Sequence, residues 1–366
     1  MRFLFLEPFF GGSHRDFARG LAEHSEHEFE FLTLPARFWK WRMRGAALYF
    51  LNKVKDLSGY DGIFASSLMS LADFKALAGP ACPPALLYFH ENQLTYPLAP
   101  GETPDYHFGF TDITSALAAD MVVMSSKTHF DAFFSELPVF ISRMPEYRPR
   151  WAVERIRKKA SVLTPGCRFP VDLRPAPRDP AKPPLIIWNH RWEYDKAPGA
   201  FFAALYRVKE RGIPFRLALL GENFSTVPQA FPEARERLKD EIVRFGYAND
   251  RKEYLSWLSR GWVAVSTALQ ENFGISVVEA MRYGCLPLLP DRLSYPEILP
   301  RRFHPDFLYQ GPDDLVEKLC GMLSAGKALE RARQDVSASM AMHAWPMRVP
   351  FYDDVLSRLA RMGKPT

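Results

Sequence analysis

Glu271 and Glu279 stand eight residues apart in ALQENFGISVVEAMRYG (268–284), with Phe273 and Gly274 between them and the strand-like WVAVST just before. On one continuous helix that spacing would put both carboxylates nearly on one face, an ordinary solvated stripe. Gly274 argues otherwise. Glycine is a poor interior helix residue and a good turn residue, so the pattern predicts a helix starting at Ile275 or Ser276. Glu271 then lies in the loop after the strand and Glu279 within the first turn or so. Free N–H groups at a helix N-terminus favour phosphate and carboxylates accept sugar hydroxyls, so the pair predicts a nucleotide-sugar site. Arg191 and Lys196 in WNHRWEYDK, Gly221 and Glu222 in LLGENF, and Gly246 and Tyr247 in RFGYA likewise follow apolar runs. Any one of these would be an ordinary exposed strand end. Together they set polar and charged groups at successive strand ends of one predicted domain.

The elements that must hold these groups alternate between strands and helices. RFLFLEP, EFEFLTLP, GIFAS, ALLYFH, DMVVMSS and ASVLTP are short apolar runs separated by helix-like stretches such as SHRDFARGLAEH and THFDAFFSEL. This is the pattern of a parallel α/β sheet. RFPVDLRPAPRDPAKPP then carries Pro170, Pro175, Pro177, Pro180, Pro183 and Pro184, which leave no room for a ladder or a helix. A second series follows: LIIWNH, FRLALLG, IVRFGYA, WVAVST and CLPLLP. The expected organisation is an N-terminal doubly wound domain over 1–172, a proline-rich linker over 173–184 and a second doubly wound domain over 185–342. A C-terminal helix over 343–366 is expected to cross back and clamp the two, with a cleft between the domains at the carboxyl ends of their strands.

At 366 residues the chain is too long for one ordinary core, and 47% hydrophobic with 14% aromatic residues argues against disorder. No run of eighteen apolar residues occurs, and Glu7 and Pro8 arrive too early for a signal peptide, so a soluble cytoplasmic protein without a membrane partner is expected. Cys82, Cys167, Cys285 and Cys320 lack C-x-x-C pairing and read as small buried residues.

The two glutamates around Phe-Gly, followed by EAM-x-x-G-x-x-P from Glu279 to Pro287, resemble the signature of family-four retaining glycosyltransferases. The resemblance implies the GT-B fold, two Rossmann-like domains, the C-terminal one holding the donor. It implies that Arg191 and Lys196 face the donor diphosphate and Tyr247 the base pocket. Glu271 would bind the sugar near its reacting carbon and Glu279 the ribose, with Gly221, Glu222, Phe273, Gly274 and Ile275 completing the donor site. This chain has Asn189-His190-Arg191 where the family usually has a glycine-flanked arginine. Gly11 and Gly12 in EPFFGGSH resemble the glycine loop that faces the donor from the N-terminal domain. YFHENQLTYP packs His90, Glu91, Asn92, Gln93 and Tyr96 into seven positions after the fourth strand, and reads as an acceptor-site lining. His90 matches the position of the family's active-site histidine.

FHENQ-x-x-YP, GGSH with His14, LPARFWKWRMRG and SSLMSLADFKAL together resemble the tRNA-queuosine mannosyltransferase branch, across essentially the whole chain. That resemblance implies transfer of mannose from GDP-mannose, with retention, to the cyclopentene diol of queuosine in the anticodon of tRNA-Asp. The alternatives keep the donor chemistry with a lipid, glycan or small-molecule acceptor, or leave an RNA-binding protein with a relict donor site.

The net charge of +5 is modest, and acids and bases balance over residues 1–172. Distribution says more. Arg37, Lys40, Arg42, Arg44, Lys53 and Lys55 form a block without an acid, interleaved with Phe38, Trp39, Trp41 and Tyr49; a second block runs from Arg143 to Lys159. Basic groups bind phosphates and aromatic faces stack unpaired bases. A solvated helix with its tryptophans turned inward would show the same pattern. No Asp-x-Asp occurs to clamp a nucleotide-bound metal, so no metal is expected and Arg191 and Lys196 would neutralise the leaving diphosphate; no cofactor is expected beyond the co-substrate.

Overall fold

The computed structural model describes every residue except 100, 178, 180, 223–226 and 364–366. It divides into two compact units, Met1–Arg168 with Trp345–Thr366, and Phe169–Ala344.

The first unit is built on six parallel strands, β1 (Arg2–Phe10), β2 (Glu28–Pro35), β3 (Gly62–Ser66), β4 (Ala85–Phe89), β5 (Met121–Met124) and β6 (Ala160–Val162), in the order β2-β1-β3-β4-β5-β6. Helices cover both faces, which is why β3 and β4 are buried at every residue and show no alternation. One face packs Ala46, Phe50, Phe74, Phe133 and Leu137 against the sheet. The other packs Phe17 and Leu21 of the helix Gly12–His24 with Trp345, Tyr352, Leu356 and Leu359 of the last helix, Trp345–Met362. The C-terminal helix thus belongs to the first unit. It begins two residues later than the sequence suggests, and 364–366 of the predicted tail lie outside the described residues.

The second unit repeats the plan with β7 (Leu185–Trp188), β8 (Arg216–Leu219), β9 (Ile242–Phe245), β10 (Val263–Val265), β11 (Leu286–Pro290) and β12 (Leu308–Tyr309), ordered β12-β11-β10-β7-β8-β9. The chain leaves β7 in one direction and returns to its other side at β10, which makes the β7/β10 edge the switch point where ligands of doubly wound sheets sit.

The proline-rich segment is held rather than free. Arg282 donates to the carbonyls of Pro170 and Val171, and Arg333 to that of Ala176. These bonds place the segment in the second unit, so the boundary falls at Arg168/Phe169; Pro180 of the predicted linker lies outside the described residues. Among the described residues no helix is long and apolar enough to cross a membrane.

Candidate functional site

In the second unit the functional groups gather at the ends of β7 and β10. Gly274 adopts φ +96°, a left-handed value suited to glycine, and starts the helix Ile275–Arg282. This leaves Glu271 in the loop after β10 and puts Glu279 one turn into the helix. Lys196 Nζ donates to the Gln270 carbonyl at 2.7 Å and lies 3.4 Å from Glu271 and 3.1 Å from Asp195. The two loops are joined further, because Thr267 donates to the Lys196 carbonyl and the Leu269 amide to the Asp195 carbonyl. A buried ammonium between two carboxylates is a fixed cation at the switch point.

Glu279 is buried and accepts from Arg251 at 2.6 Å and from the Tyr254 hydroxyl at 3.1 Å. Asn189 completes the chain, donating to Tyr254 and to the Ser276 carbonyl at the helix start. Arg191 lies 3.1 Å from Glu193 and is half exposed. Burial and the nearby Lys196 charge hold His190 neutral, down to about 3. The His190 carbonyl occupies the space a side chain at Gly221 would need, so Gly221 sets the approach of two strand ends, and the Trp192 amide donates to the Glu222 carbonyl beside it. Tyr247 is exposed, whereas Phe273 is buried against His343. Ile275 opens the helix and is half-buried.

In the first unit a polar cluster sits at the ends of β1, β4 and β5. Glu7, fully buried, accepts from the Phe9 amide and from His14 at 3.2 Å, next to an irregular step in the β1/β2 register. The other ring nitrogen of His14 lies 3.3 Å from Glu91, and the His90 ring is 4.0 Å away, tilted by 31°. Burial opposes a charge on His14, but the two carboxylates and their hydrogen bonds outweigh it and raise its pKa to about 10. His90 is pushed the other way, first by burial and then by the positive charge of His14. Glu7, His14 and His90 offer ligand atoms within 4.8 Å of one another, close enough to share one divalent ion if His14 gave up its proton.

Asn92 is turned inward: its oxygen accepts from the Leu94 and Thr95 amides, and its nitrogen meets Thr95 and His129. His129 passes the chain on to Ser125, and burial lowers its pKa to about 4. The Gln93 amide donates to Asp112, whose carboxyl burial pushes up to about 8. Tyr96 is half-buried on the same loop. Gly11 has a packing reason, since a side chain there would strike Ala36, while Gly12 needs its left-handed φ of +48°. Trp39 and Trp41 part company: the first leans on Phe108, the second is exposed, as is Arg44, while Arg42 is half-buried. Glu7, Asp195, Arg251 and Tyr254 escaped the sequence reading. A lone carboxylate inside the doubly buried run RFLFLEP was the available signal for Glu7.

Two parallel six-stranded units of this topology, with a buried lysine held between carboxylates at the switch point of the second, have the GT-B architecture, and the comparisons agree. The sequence model described as tRNA-queuosine alpha-mannosyltransferase N-terminal matches residues 2–167, and that described as glycosyl transferases group 1 matches residues 172–336. A tRNA-queuosine alpha-mannosyltransferase of Drosophila melanogaster is 33% identical over 372 residues, covering 97% of this chain and 96% of its relative. This chain belongs to the tRNA-queuosine alpha-mannosyltransferase family. Among solved structures, the sucrose-phosphate synthase of Thermosynechococcus elongatus aligns with a TM-score of 0.75 at 16% identity, over 99% of this chain and 100% of that one. The catalytic domain of starch synthase IV from Arabidopsis thaliana, bound to ADP and acarbose, aligns with a TM-score of 0.70 at 13% identity, over 99% of both chains.

Proposed function

We propose that this glycosyltransferase moves mannose from GDP-mannose, with retention, to the cyclopentene diol of queuosine in the anticodon of tRNA-Asp. The observation that carries the donor half is Lys196, a buried ammonium held against Glu271 at the β7/β10 switch point. With Arg191 it would neutralise the diphosphate as the glycosidic bond breaks, a fixed electrostatic contribution that needs no reorganisation at the moment of reaction. Glu271 would accept hydroxyls of the transferred sugar. Glu279 would accept the ribose hydroxyls through its remaining lone pairs, its position fixed by Arg251 and Tyr254. In a retaining transfer on one sugar face, a departing phosphate oxygen takes the proton of the attacking hydroxyl. His90, kept neutral, would orient that hydroxyl.

The acceptor half rests on family membership. The experiment is incubation with queuosine-containing and queuosine-free tRNA and a panel of nucleotide sugars, followed by nucleoside mass analysis. A hexose on queuosine only, from GDP-mannose in preference to the others, is expected. Equal labelling of both tRNAs, or labelling of a lipid in place of either, would overturn the acceptor assignment and leave the donor chemistry standing.

A further inference from the structure

The helix Trp39–Lys53 opens on Phe38, whose backbone sits in the left-handed region at φ +56°, ψ +43°, with no side chain capping the first turn. A bulky residue is rare there, and strain of this kind collects at functional sites. Phe38 is 66% exposed and, one turn on, Trp41 is 78% exposed. Cations accompany the aromatic rings. Arg37 lies over Phe38 at 5.6 Å and Lys40 over Trp39 at the same distance. Beside Trp41 is a hollow of about 290 Å³ lined by Lys40, Trp41, Arg44, Asp105, His107 and Phe108. The carboxylate lining it is Asp105, which caps the His107 amide, and Lys40 pairs with Glu102 at 3.2 Å. Arg44 is steadied by Thr111 at 3.2 Å.

We infer that Phe38 and Trp41 are stacking platforms for two unpaired bases of the RNA acceptor, with Arg37, Lys40 and Arg44 gripping its phosphates. The inference rests on the tRNA reading above and names the surface that would carry it. Two large exposed rings among cations suit a flat, apolar-faced occupant. Cations spaced among them select one whose flat groups hang from a polyanion, which describes single-stranded nucleic acid. Trp39 is the internal contrast, since its contact with Phe108 gives it a packing role.

Steady-state kinetics with queuosine-containing tRNA tests this. Phe38→Ala and Trp41→Ala should each raise the tRNA KM by roughly five- to a hundredfold, leave donor affinity and melting temperature unchanged, and Trp41→Phe should restore most of the loss. Trp39→Ala should lower the melting temperature instead. Neutralising Lys40 or Arg44 should flatten the log–log salt dependence of tRNA binding by about one unit each. An unchanged tRNA KM in both alanine variants, beside normal transfer by the wild type, overturns the platform and leaves the acceptor reading intact. A wild type that labels no tRNA overturns the reading itself. Binding to phosphatidylserine vesicles that is lost in Trp41→Ala while tRNA affinity holds would assign the patch to a membrane surface and overturn the inference.

Discussion

At the scale of single residues the two signature glutamates are not equivalent. Glu279 is clasped by Arg251 and Tyr254, whereas Glu271 faces the Lys196 ammonium. We predict that Glu279→Gln weakens donor binding by roughly 1.5–3 kcal/mol, and that Glu271→Gln chiefly lowers kcat. Calorimetry with the donor beside initial rates separates them, and identical effects in both variants would sink the assignment. If Lys196 and Arg191 neutralise the diphosphate as proposed, turnover should also survive EDTA. Loss in chelator restored by a divalent ion would contradict this, and Glu7, His14 and His90 would be the place to look. His14 makes a pH prediction of definite sign. Its pKa rises from 6.5 to about 10 on folding, so its stabilisation is full below pH 6.5 and fades as pH climbs towards 10. The gap in melting temperature between wild type and His14→Gln should shrink across that window; a constant gap would remove the ion-pair account.

Among elements, the last helix shows what holds the first sheet. Trp345 is fully buried beside Phe17 and Tyr352, and a side chain added at Gly20 or Gly166 would overlap its indole. Trp345→Ala should cost about 3–5 kcal/mol and Gly166→Ala about 1–3 kcal/mol, read as lower denaturant midpoints. Unchanged midpoints would show that the helix contributes little. Much at this level was legible in the sequence: GIFAS is β3 to the residue, and Gly274 marked the helix start at Ile275 because only glycine suits that turn. What stayed hidden depended on distant partners. The proline-rich segment read as free chain because nothing local announces that Arg282 and Arg333, far along the sequence, hold its carbonyls. Glu7 was hidden for a related reason: in a strand buried on both faces no alternation shows where a side chain points. Trp39 and Trp41 looked alike because the ring that separates them, Phe108, sits on another helix.

For the whole molecule the decisive fact is that one unit is continuous in sequence and the other is made from both ends of the chain. A fragment of residues 169–344 should fold alone and bind GDP. A fragment of residues 1–168 should not, because Phe3, Phe17 and Tyr88 would lose the cover of Trp345, Tyr352 and Leu359. Size-exclusion and circular dichroism of both fragments, the second with and without a peptide of residues 345–363, check this; a monomeric, folded 1–168 would refute it. The same discontinuity sets an order of events during synthesis. The ribosome releases the first unit's sheet while the helix that seals it is still untranslated, so the later-made second unit can finish folding first. The opening residues must wait with an aromatic face exposed, the kind of surface chaperones hold. A stop codon between Glu279 and Trp345 would leave them waiting for good, and such a chain would be cleared by proteolysis even with every donor-site residue already in place.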